Sequence, residues 1–505
     1  MLLTSSWIID TVIILTSLTY LIYKYVTRKF DYWKKKGVYY FEPTPFVGNF
    51  YEVVTMKKTL AETLKTLYDK TDEPYFGAFT FDEPVLVVKS PQLIKNILMK
   101  DYTYFKDRTM AEGKHNKMTS NWLAFQRYTA WKKTRSKLSL MFTSGRLKNM
   151  LHSINDSSTL FTDYLNGHLG VLEAKELCIK FTTESTAKCF FGINGKCFED
   201  GHSEFNEISK RLFELSVRNG IIHSFYIFKP FVVDLFRLDF MKQSDVDYLL
   251  GAFKTSFNSR KAQKKAQKGK IVDYIDIMLE NEDTNGTSES EYESDYFMAM
   301  ANTVHFYMAG VETSGSSLAF TLYEWAMNQD IQEKVRQEVF DIVKKYGKIT
   351  YESLQEMEYM DLCLAETGRK YPLFQLLDRL TDMDYKVPDT DLTIKKGTKI
   401  YIPFYALHMD EKYFPEPDKY IPERFLDKTI NSDGVYYMPF GAGPRICIGE
   451  RFSQMSMKIF LTTLLRSFKI EPCDKTPSKI AFDPSSFTMT SKDGINLKFK
   501  RLNEN

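Results

Sequence analysis

The sequence has few of the residues that build disulfide or zinc scaffolds. Its 505 residues include six cysteines, no two of which form a C-x-x-C pair, and seven histidines without an H-E-x-x-H spacing. So few cysteines exclude a disulfide-rich secreted scaffold, and the missing spacings exclude the common zinc motifs. No G-x-G-x-x-G fingerprint follows a predicted strand, so we expect no nicotinamide- or flavin-binding domain within the chain.

The chain also lacks an excess of charge of either sign. Basic residues number 68 and acidic residues 65, a formal net charge of +3, which gives no global support for nucleic-acid binding. Apolar residues make up 43% and aromatic residues 15% of the chain. This composition predicts a globular fold with a large apolar interior or a greasy ligand pocket.

An apolar segment at residues 7–25 stands apart from the rest of the chain. Asp10 is its only charged residue before Lys24, and a cluster of lysines and arginines comes after it. A helix of about 20 residues spans a hydrocarbon core, and positive charge after it favours the cytosolic side. The basic start and cleavage site of a secretory signal peptide are missing. We therefore predict a retained signal anchor; a buried core helix is the alternative.

Three parts are predicted along the chain. Residues 1–25 form a single-pass anchor in the endoplasmic reticulum membrane, with the N-terminus in the lumen. Residues 26–48 form a basic linker, which Pro43 and Pro45 stiffen into a hinge. Residues 49–505 form one domain on the cytosolic face.

Helical periodicity dominates this domain. Residues 205–215, 331–346 and 354–370 mix apolar and charged side chains at helical spacing, whereas residues 85–88 and 398–403 have the composition of short strands. The predicted fold class is mostly α with small β-sheets (α+β).

A strongly apolar and aromatic stretch occupies residues 221–241, and Pro230 divides it. A proline inside an apolar helical pattern ends the helix, so we predict a helix–loop–helix. Two interpretations stay open: a buried helix pair, or a surface that dips into the bilayer near the anchor.

Cys447 is the cysteine whose surroundings suit chemistry. It lies in FGAGPRICIG, residues 440–449. The glycines let the backbone approach a flat ligand closely, and Arg445 can neutralise a carboxylate and help hold the thiol as thiolate. A helical pattern begins after Gly449, and a helix N-terminus also favours a thiolate. The segment suits a cysteine that serves as axial ligand to haem iron.

This decapeptide resembles the haem-binding loop of the cytochromes P450, F-x-x-G-x-R-x-C-x-G. Four further motifs resemble those of the family, in the family's order: W-x-x-x-R at Trp131 and Arg135, A-G-x-[DE]-T at residues 309–313, E-x-x-R at Glu366 and Arg369, and P-E-R-F with Arg424. The resemblance covers essentially the whole chain, and several stretches look closest to insect microsomal enzymes of the detoxification type.

The resemblance implies a P450 fold that holds haem b, with Cys447 as the axial ligand of the iron. It implies cofactor contacts from the following residues: Trp131, Arg135, Ala309, Gly310, Arg379, Phe440, Gly443, Arg445 and Gly449. Glu312 and Thr313 would relay protons, because an acid beside a hydroxyl can do so. Glu366, Arg369 and Arg424 would form a structural ion-pair cluster.

The implied activity is a monooxygenase that inserts one oxygen atom of O2 into lipophilic substrates such as xenobiotics, plant toxins or insecticides. Electrons would come from NADPH through NADPH–cytochrome P450 reductase, with a small cytochrome b-type protein as a further donor. Lys132, Lys133 and Lys137 are a candidate docking patch for such a partner, or a solvated helix face.

The substrate is poorly specified by the sequence. The resemblance implies a pocket that includes His305, Phe306, Phe374 and Phe487, although His305 also fits a hydrogen-bonded core histidine. Two other classes stay open: the same chemistry on a dedicated endogenous substrate, such as a steroid, fatty acid or hormone precursor, and a haem-binding sensor without turnover.

The sequence departs from the family pattern at Gly368, where an apolar residue is usual. Glycine inside a helix costs about 1 kcal/mol relative to alanine. We expect Gly368 to loosen the Glu366–Arg369 pair and to lower stability without loss of chemistry.

Overall fold

The computed structural model describes residues 6–199, 201–264, 273–284, 289–427 and 435–502. Its α-helices, in chain order, are α1 (Trp7–Thr27), α2 (Tyr32–Lys35), α3 (Tyr51–Val54), α4 (Leu60–Tyr68), α5 (Pro91–Lys95), α6 (Lys117–Ser120), α7 (Tyr128–Ser139), α8 (Ser144–Gly167), α9 (Ala174–Thr186), α10 (Glu204–Leu212), α11 (Val217–Phe228), α12 (Pro230–Leu235), α13 (Gln243–Lys264), α14 (Tyr274–Thr284), α15 (Glu289–Met327), α16 (Gln329–Tyr346), α17 (Tyr351–Gln355), α18 (Glu358–Lys370), α19 (Phe404–His408) and α20 (Glu450–Ser467). Its strands are β1 (Tyr75–Thr80), β2 (Glu83–Val88), β3 (Gly170–Glu173), β4 (Leu377–Leu380), β5 (Tyr385–Lys386), β6 (Thr393–Ile394), β7 (Lys399–Ile402), β8 (Phe468–Pro472) and β9 (Asn496–Arg501). The predicted fold class, mostly α with small sheets, is confirmed.

The chain divides into two compact units. The smaller unit comprises Met1–Thr109 and Gln375–Leu407, and the larger unit comprises Met110–Phe374 and His408–Asn505. The smaller unit holds a four-stranded sheet in the order β1-β2-β7-β4 and the β5-β6 ribbon; the larger unit holds the sheet β3-β9-β8. Strands β1 and β2 form an antiparallel hairpin, β2 runs parallel to β7, and β7 runs antiparallel to β4.

Residues 26–48, predicted as a linker with a proline hinge at its end, are folded onto β1 in the smaller unit. Trp33 is buried, and its indole N–H donates to the carbonyl of Ala78 at 3.1 Å. A Cβ at Gly77 would lie 2.3 Å from the Trp33 ring, so only glycine allows this contact. The boundary drawn at residue 48 stays a prediction, but the residues before it pack onto the sheet.

Helix α1 is the one helix among the described residues that is long and apolar enough to cross a membrane. Its apolar side chains are exposed, and Asp10 is its only buried residue, so it is not a buried core helix. The hydroxyls of Thr11, Thr19 and Thr27 each donate to a carbonyl one turn back at 2.8 Å. These bonds satisfy polar groups that a hydrocarbon environment would leave unpaired. Residues 1–5 of the predicted anchor lie outside the described residues.

The 39-residue helix α15 is the centre of the larger unit, and its most extensive helix contact is with α9. At Gly315 a Cβ would lie 2.5 Å from the Ile179 side chain. The hydroxyl of Thr182, on α9, donates to the carbonyl of Val311 at 2.9 Å. A glycine and a shared hydrogen bond therefore bring the two helix backbones close together.

Of two predicted helical stretches, one agrees with the structure and one differs from it. The stretch at 221–241 divides at Pro230 as predicted, into α11 and α12. The pattern at 354–370 instead contains a break, because α17 ends before α18 begins. The carboxylate of Glu338, on α16, accepts from the N–H groups of Tyr359 and Met360 at 2.6 and 2.9 Å. A distant side chain thus caps α18, which local periodicity cannot reveal.

We predict that Gly77→Ala destabilises the smaller unit. The added methyl group would overlap the ring of Trp33, and overpacking of this kind costs about 1–3 kcal/mol. Chemical unfolding of the full-length protein in detergent measures the effect. Gly145→Ala is the matched control, since nothing lies within 4 Å of a Cβ there. Equal stability of the two variants would contradict the packing argument.

Candidate active site

Backbone hydrogen bonds close the loop that carries Cys447. The N–H of Cys447 donates to the carbonyl of Phe440 at 2.9 Å, and the N–H of Ile446 donates to that of Gly443 at 3.0 Å. Gly441 and Gly443 have φ of +79° and +71°, a left-handed conformation that disfavours residues with a Cβ. The loop therefore needs glycine at both positions, and it presents Cys447 just before the N-terminus of α20.

Two arginines, one on α7 and one on the loop, hold the cysteine loop against the region of α7. Arg135, on α7, donates from Nη1 to the carbonyl of Ile446 at 2.8 Å. The guanidinium of Arg445 lies 4.4 Å from the centre of the Trp131 ring, a cation–π contact, and donates to the carbonyl of Gln126 at 3.2 Å. The structure thus gathers three predicted cofactor-binding side chains, Trp131, Arg135 and Arg445, at the cysteine loop.

Cys447 differs from the other cysteines in its exposure. Its side chain is exposed, whereas that of Cys473 is half-buried and the remaining four are buried. Burial raises the pKa of those four thiols, at Cys178, Cys189, Cys197 and Cys363. They stay protonated at neutral pH and cannot act as thiolate ligands. Cys447 is the cysteine that fits that role.

Within residues 299–326 of α15, one narrow face is left uncovered. From residue 299 to 326 every residue is buried except Ala309, Gly310, Thr313 and Ser317. These four share one side of the helix because they are spaced one, three and four residues apart. The hydroxyl of Thr313 donates to the carbonyl of Ala309 at 2.6 Å, so the face is lined by small groups.

The helix with this face is tied to the helix that comes after the cysteine loop. The hydroxyls of Ser314, on α15, and Ser453, on α20, lie 3.0 Å apart. A Cβ at Gly310 would meet only the Thr186 hydroxyl, at 3.8 Å. An accessible thiol, arginines suited to carboxylates and an uncovered face of small residues together fit a haem group with a thiolate ligand.

A buried ion-pair cluster lies behind the loop. Glu366 and Arg369 form a bidentate pair with both N–O distances at 2.8 Å, and both side chains are fully buried. Arg424 adds a third charge, with its Nε 3.2 Å from the same carboxylate. The remaining N–H groups of Arg369 donate to the carbonyls of His408 and Pro417, at 2.9 and 2.8 Å. The cluster therefore fixes the route of a segment with little regular secondary structure.

The family model for cytochrome P450 matches residues 39–499. The chain belongs to the cytochrome P450 family. Among its relatives, cytochrome P450 6j1 of Blattella germanica is 35% identical over 506 residues, which covers 99% of each chain. Cytochrome P450 6k1 of the same species is 33% identical and covers 97% of each chain. Probable cytochrome P450 6g2 of Drosophila melanogaster is 32% identical over 97% of this chain and 98% of its own.

Membership of the P450 family makes the chain an oxidoreductase of the monooxygenase type. The family implies a haem cofactor, O2, an electron-transfer partner and a small-molecule substrate. These relatives confirm the predicted family and the predicted resemblance to insect P450s.

The structure places three of the four predicted pocket residues in one aromatic layer of this P450. The layer consists of Trp122, His223, Phe240, His305, Phe374 and Phe487. The rings of Trp122 and His305 stack at 5.6 Å with an interplanar angle of 11°. Phe240 lies 4.5 Å from His223 and 5.5 Å from Phe487, between ring centroids. Burial lowers the pKa of His223 to about 4, so it is neutral at physiological pH.

Two further predicted site residues have contacts of their own. The ring of Phe306 contacts Phe142 and Phe190, at centroid distances of 5.4 and 5.3 Å, and also lies 6.2 Å from the ring of His305. Arg379 is buried on β4 of the smaller unit, where it donates to the carbonyl of Asp378 at 2.7 Å. The assigned roles of both residues stay predictions.

Two residues near the site of this P450 could not be predicted from the sequence. Lys175 forms an ion pair with Glu312 at 2.7 Å. His408 accepts from the N–H of Met438 at 3.2 Å, two residues before Phe440. A lone lysine or histidine gives no signal in a sequence. Only the fold shows what each one contacts.

The expectation that Gly368 loosens the ion-pair cluster is wrong. The Glu366–Arg369 pair beside it keeps two bonds of 2.8 Å. A Cβ at Gly368 would lie 3.0 Å from the Tyr437 hydroxyl and 3.2 Å from Pro439. The glycine instead lets α18 approach the segment that leads into the cysteine loop.

We predict that His408 makes this P450 less stable in acid. Burial, with the charge of Arg369, lowers the pKa of His408 from 6.5 to about 3. Between these values the unfolded chain binds a proton that the folded protein does not, so stability is lost as pH falls below 6.5. From pH 6.5 to 5 the loss is about 2 kcal/mol.

Unfolding free energies at the two pH values test this prediction. In His408→Gln, the loss of unfolding free energy between pH 6.5 and 5 should be smaller by about 2 kcal/mol. His152→Gln, a change at an exposed histidine, should leave this loss unchanged. An unchanged slope in His408→Gln would show that other groups cause the acid sensitivity.

Proposed function

We propose that the chain is a membrane-anchored haem-thiolate monooxygenase that acts on lipophilic foreign compounds, such as plant toxins and insecticides. The observation that carries this proposal is the exposed thiol of Cys447 on a loop held by Arg135 and Arg445. The similarity to insect P450s along nearly the whole chain supports the substrate class.

Cys447 is the proposed axial ligand of haem b. Arg135 and Arg445 are the proposed partners of the two propionates, since guanidinium groups bind carboxylates in pairs of hydrogen bonds. Ala309 and Gly310, with Phe440, Gly443 and Gly449, leave room for a flat macrocycle beside their backbone. When bound, the haem supplies activation of O2 and oxygen transfer to a C–H bond, a double bond or a heteroatom.

Glu312 and Thr313 are the proposed proton carriers. Thr313 lies on the uncovered face of α15, and Glu312 precedes it with a buried carboxylate. Glu312 takes up a proton, and the hydroxyl of Thr313 passes one on at Oγ1. A sensor without turnover needs neither group, so this pair favours an enzyme.

Electrons are proposed to come from NADPH through a cytochrome P450 reductase, with a small cytochrome b-type protein as a further donor. Lys132 and Lys133 are exposed on α7, the helix that also holds the cysteine loop. Lys137 is instead paired with Asp295 on α15. Two exposed cationic side chains suit an acidic partner surface.

The proposed location is the endoplasmic reticulum membrane, with the catalytic domain in the cytosol. The exposed apolar helix α1 supports an anchor, and the basic residues after it favour the cytosolic side for the remainder of the chain. Phe231 and Phe236, at α12, are also exposed, at 73% and 65%, which supports contact of this region with lipid.

The aromatic layer is the proposed substrate-binding surface. Stacked and edge-to-face rings favour lipophilic molecules with an aromatic or otherwise flat apolar part. His305 and His223 add ring nitrogens to this apolar surface, so one polar group of a substrate can be recognised there. Phe374 is 44% exposed, at the edge of the layer.

Carbon monoxide difference spectroscopy of the dithionite-reduced protein tests the haem-thiolate proposal. We expect a strongly red-shifted Soret band, because thiolate ligation produces it, and we expect Cys447→Ser to abolish it. Cys473→Ser is the matched control and should keep the band. A wild-type band at the position typical of histidine or neutral thiol ligation, in fresh membrane-bound protein, would support the sensor instead.

Spectral binding titrations and turnover assays with a panel of lipophilic compounds test the proposed substrate class. We expect many modest substrates. His305→Ala should weaken binding of flat aromatic compounds by about two- to twelvefold, since an aromatic pair is worth about 0.5–1.5 kcal/mol. The control His202→Ala changes an exposed histidine and should leave binding unchanged. One strongly preferred substrate would point to a dedicated endogenous compound.

A further inference from the structure

The carboxylate of Glu312 is held by three donors at one oxygen atom. Oε1 accepts from the ammonium of Lys175 at 2.7 Å, from the hydroxyl of Ser316 at 3.1 Å and from that of Thr488 at 3.3 Å. Within the described residues, Oε2 accepts no hydrogen bond. Oε1 is therefore held by neighbouring groups, whereas Oε2 is available to exchange a proton.

Lys175 connects this buried carboxylate with solvent. Its side chain is 24% exposed, whereas that of Glu312 is 3% exposed. The ammonium also donates to the hydroxyl of Thr490 at 2.7 Å, which orients it between α9 and the loop that precedes β9. Glu312 thus has a counter-charge that itself reaches water.

A buried carboxylate keeps its charge only if a cation or several donors stabilise it. Lys175 is the cation that contacts Glu312, and the two hydroxyls alone replace little of its charge. Without Lys175, desolvation favours the protonated form, and the acid loses its fixed orientation.

We propose that Lys175 is a positioning residue for proton delivery by Glu312. It holds Oε1 in place and supplies the counter-charge of the carboxylate. Oε2 is then the atom that accepts a proton from solvent and releases it toward Thr313. The inference rests on the monooxygenase function proposed above and adds to it a residue from another helix.

The first test observes Glu312 in the resting protein, without turnover. Lys175→Met removes the charge but keeps the aliphatic stem. We expect an infrared C=O band of a protonated carboxyl group in this variant at neutral pH, which is absent from the wild type. The band should disappear in the double variant Lys175→Met, Glu312→Gln, and Lys175→Arg should not show it.

The second test measures turnover with NADPH and reductase. Lys175→Met should form product about tenfold more slowly, as part of the 10²–10⁴-fold that acid–base catalysis contributes. More hydrogen peroxide should form per NADPH, and the solvent isotope effect should rise. The dissociation constant of the substrate should not change, and Lys175→Arg should restore most of the rate.

Lys180→Met is the matched control, because Lys180 also lies on α9 but donates to the Tyr164 hydroxyl at 3.2 Å. It should behave as the wild type in both tests. Lys175→Gln replaces Lys175→Met if the latter does not fold. A Lys175 variant with a normal carbon monoxide spectrum, no carboxyl band and wild-type coupling would overturn the inference. A wild type without the red-shifted band or without product would instead overturn the proposed function.

Discussion

Glu366 is a fully buried carboxylate, and the segment between α19 and the cysteine loop is arranged to satisfy it. A charge removed from water must be paired and hydrogen-bonded in full, because an unpaired one costs several kcal/mol. Arg369 and Arg424 supply two cations, and the N–H of Ile421 donates to Oε1 at 3.0 Å. The leftover N–H groups of the arginines then need carbonyls, which residues 408–419 provide. Hydrogen bonds to a buried charge thereby fix the route of this irregular backbone.

The need to satisfy buried polar groups also links this ion-pair cluster to the cysteine loop. His408 gives its carbonyl to Arg369, accepts the N–H of Met438 and contacts the carbonyl of Arg369 through Nδ1 at 3.2 Å. A neutral imidazole with Nδ1 protonated satisfies both ring contacts, in agreement with its lowered pKa. Met438 in turn accepts the N–H of Gly441 at 2.9 Å. A chain of satisfied polar groups thus leads from a buried charge to the turn that presents Cys447.

Helix α15 also buries charge, at Glu312 and Glu324, and it leaves one narrow face uncovered. Ala309, Gly310, Thr313 and Ser317 keep that face open, while Glu312 points among the residues that cover the rest of the helix. The acid is accommodated by donors from α9, from α15 itself and from the loop before β9. Its cost of burial is offset by the groups that also define its orientation.

Local sequence determined the family, the mostly helical fold class, the apolar N-terminal helix and the cysteine loop. These features depend on neighbouring residues: glycines whose φ must be positive, a proline at the start of α12, and motifs with fixed spacing. Tertiary structure decided which distant groups satisfy each buried polar atom. Lys175 pairs with Glu312, Glu338 caps α18, and residues 26–48 pack on β1 although their prolines suggested a hinge. The rings of His305 and Phe306 contact each other, but their other ring partners differ, because successive helical residues point about 100° apart. Partners of this kind cannot be read from a sequence, since they exist only once remote segments meet.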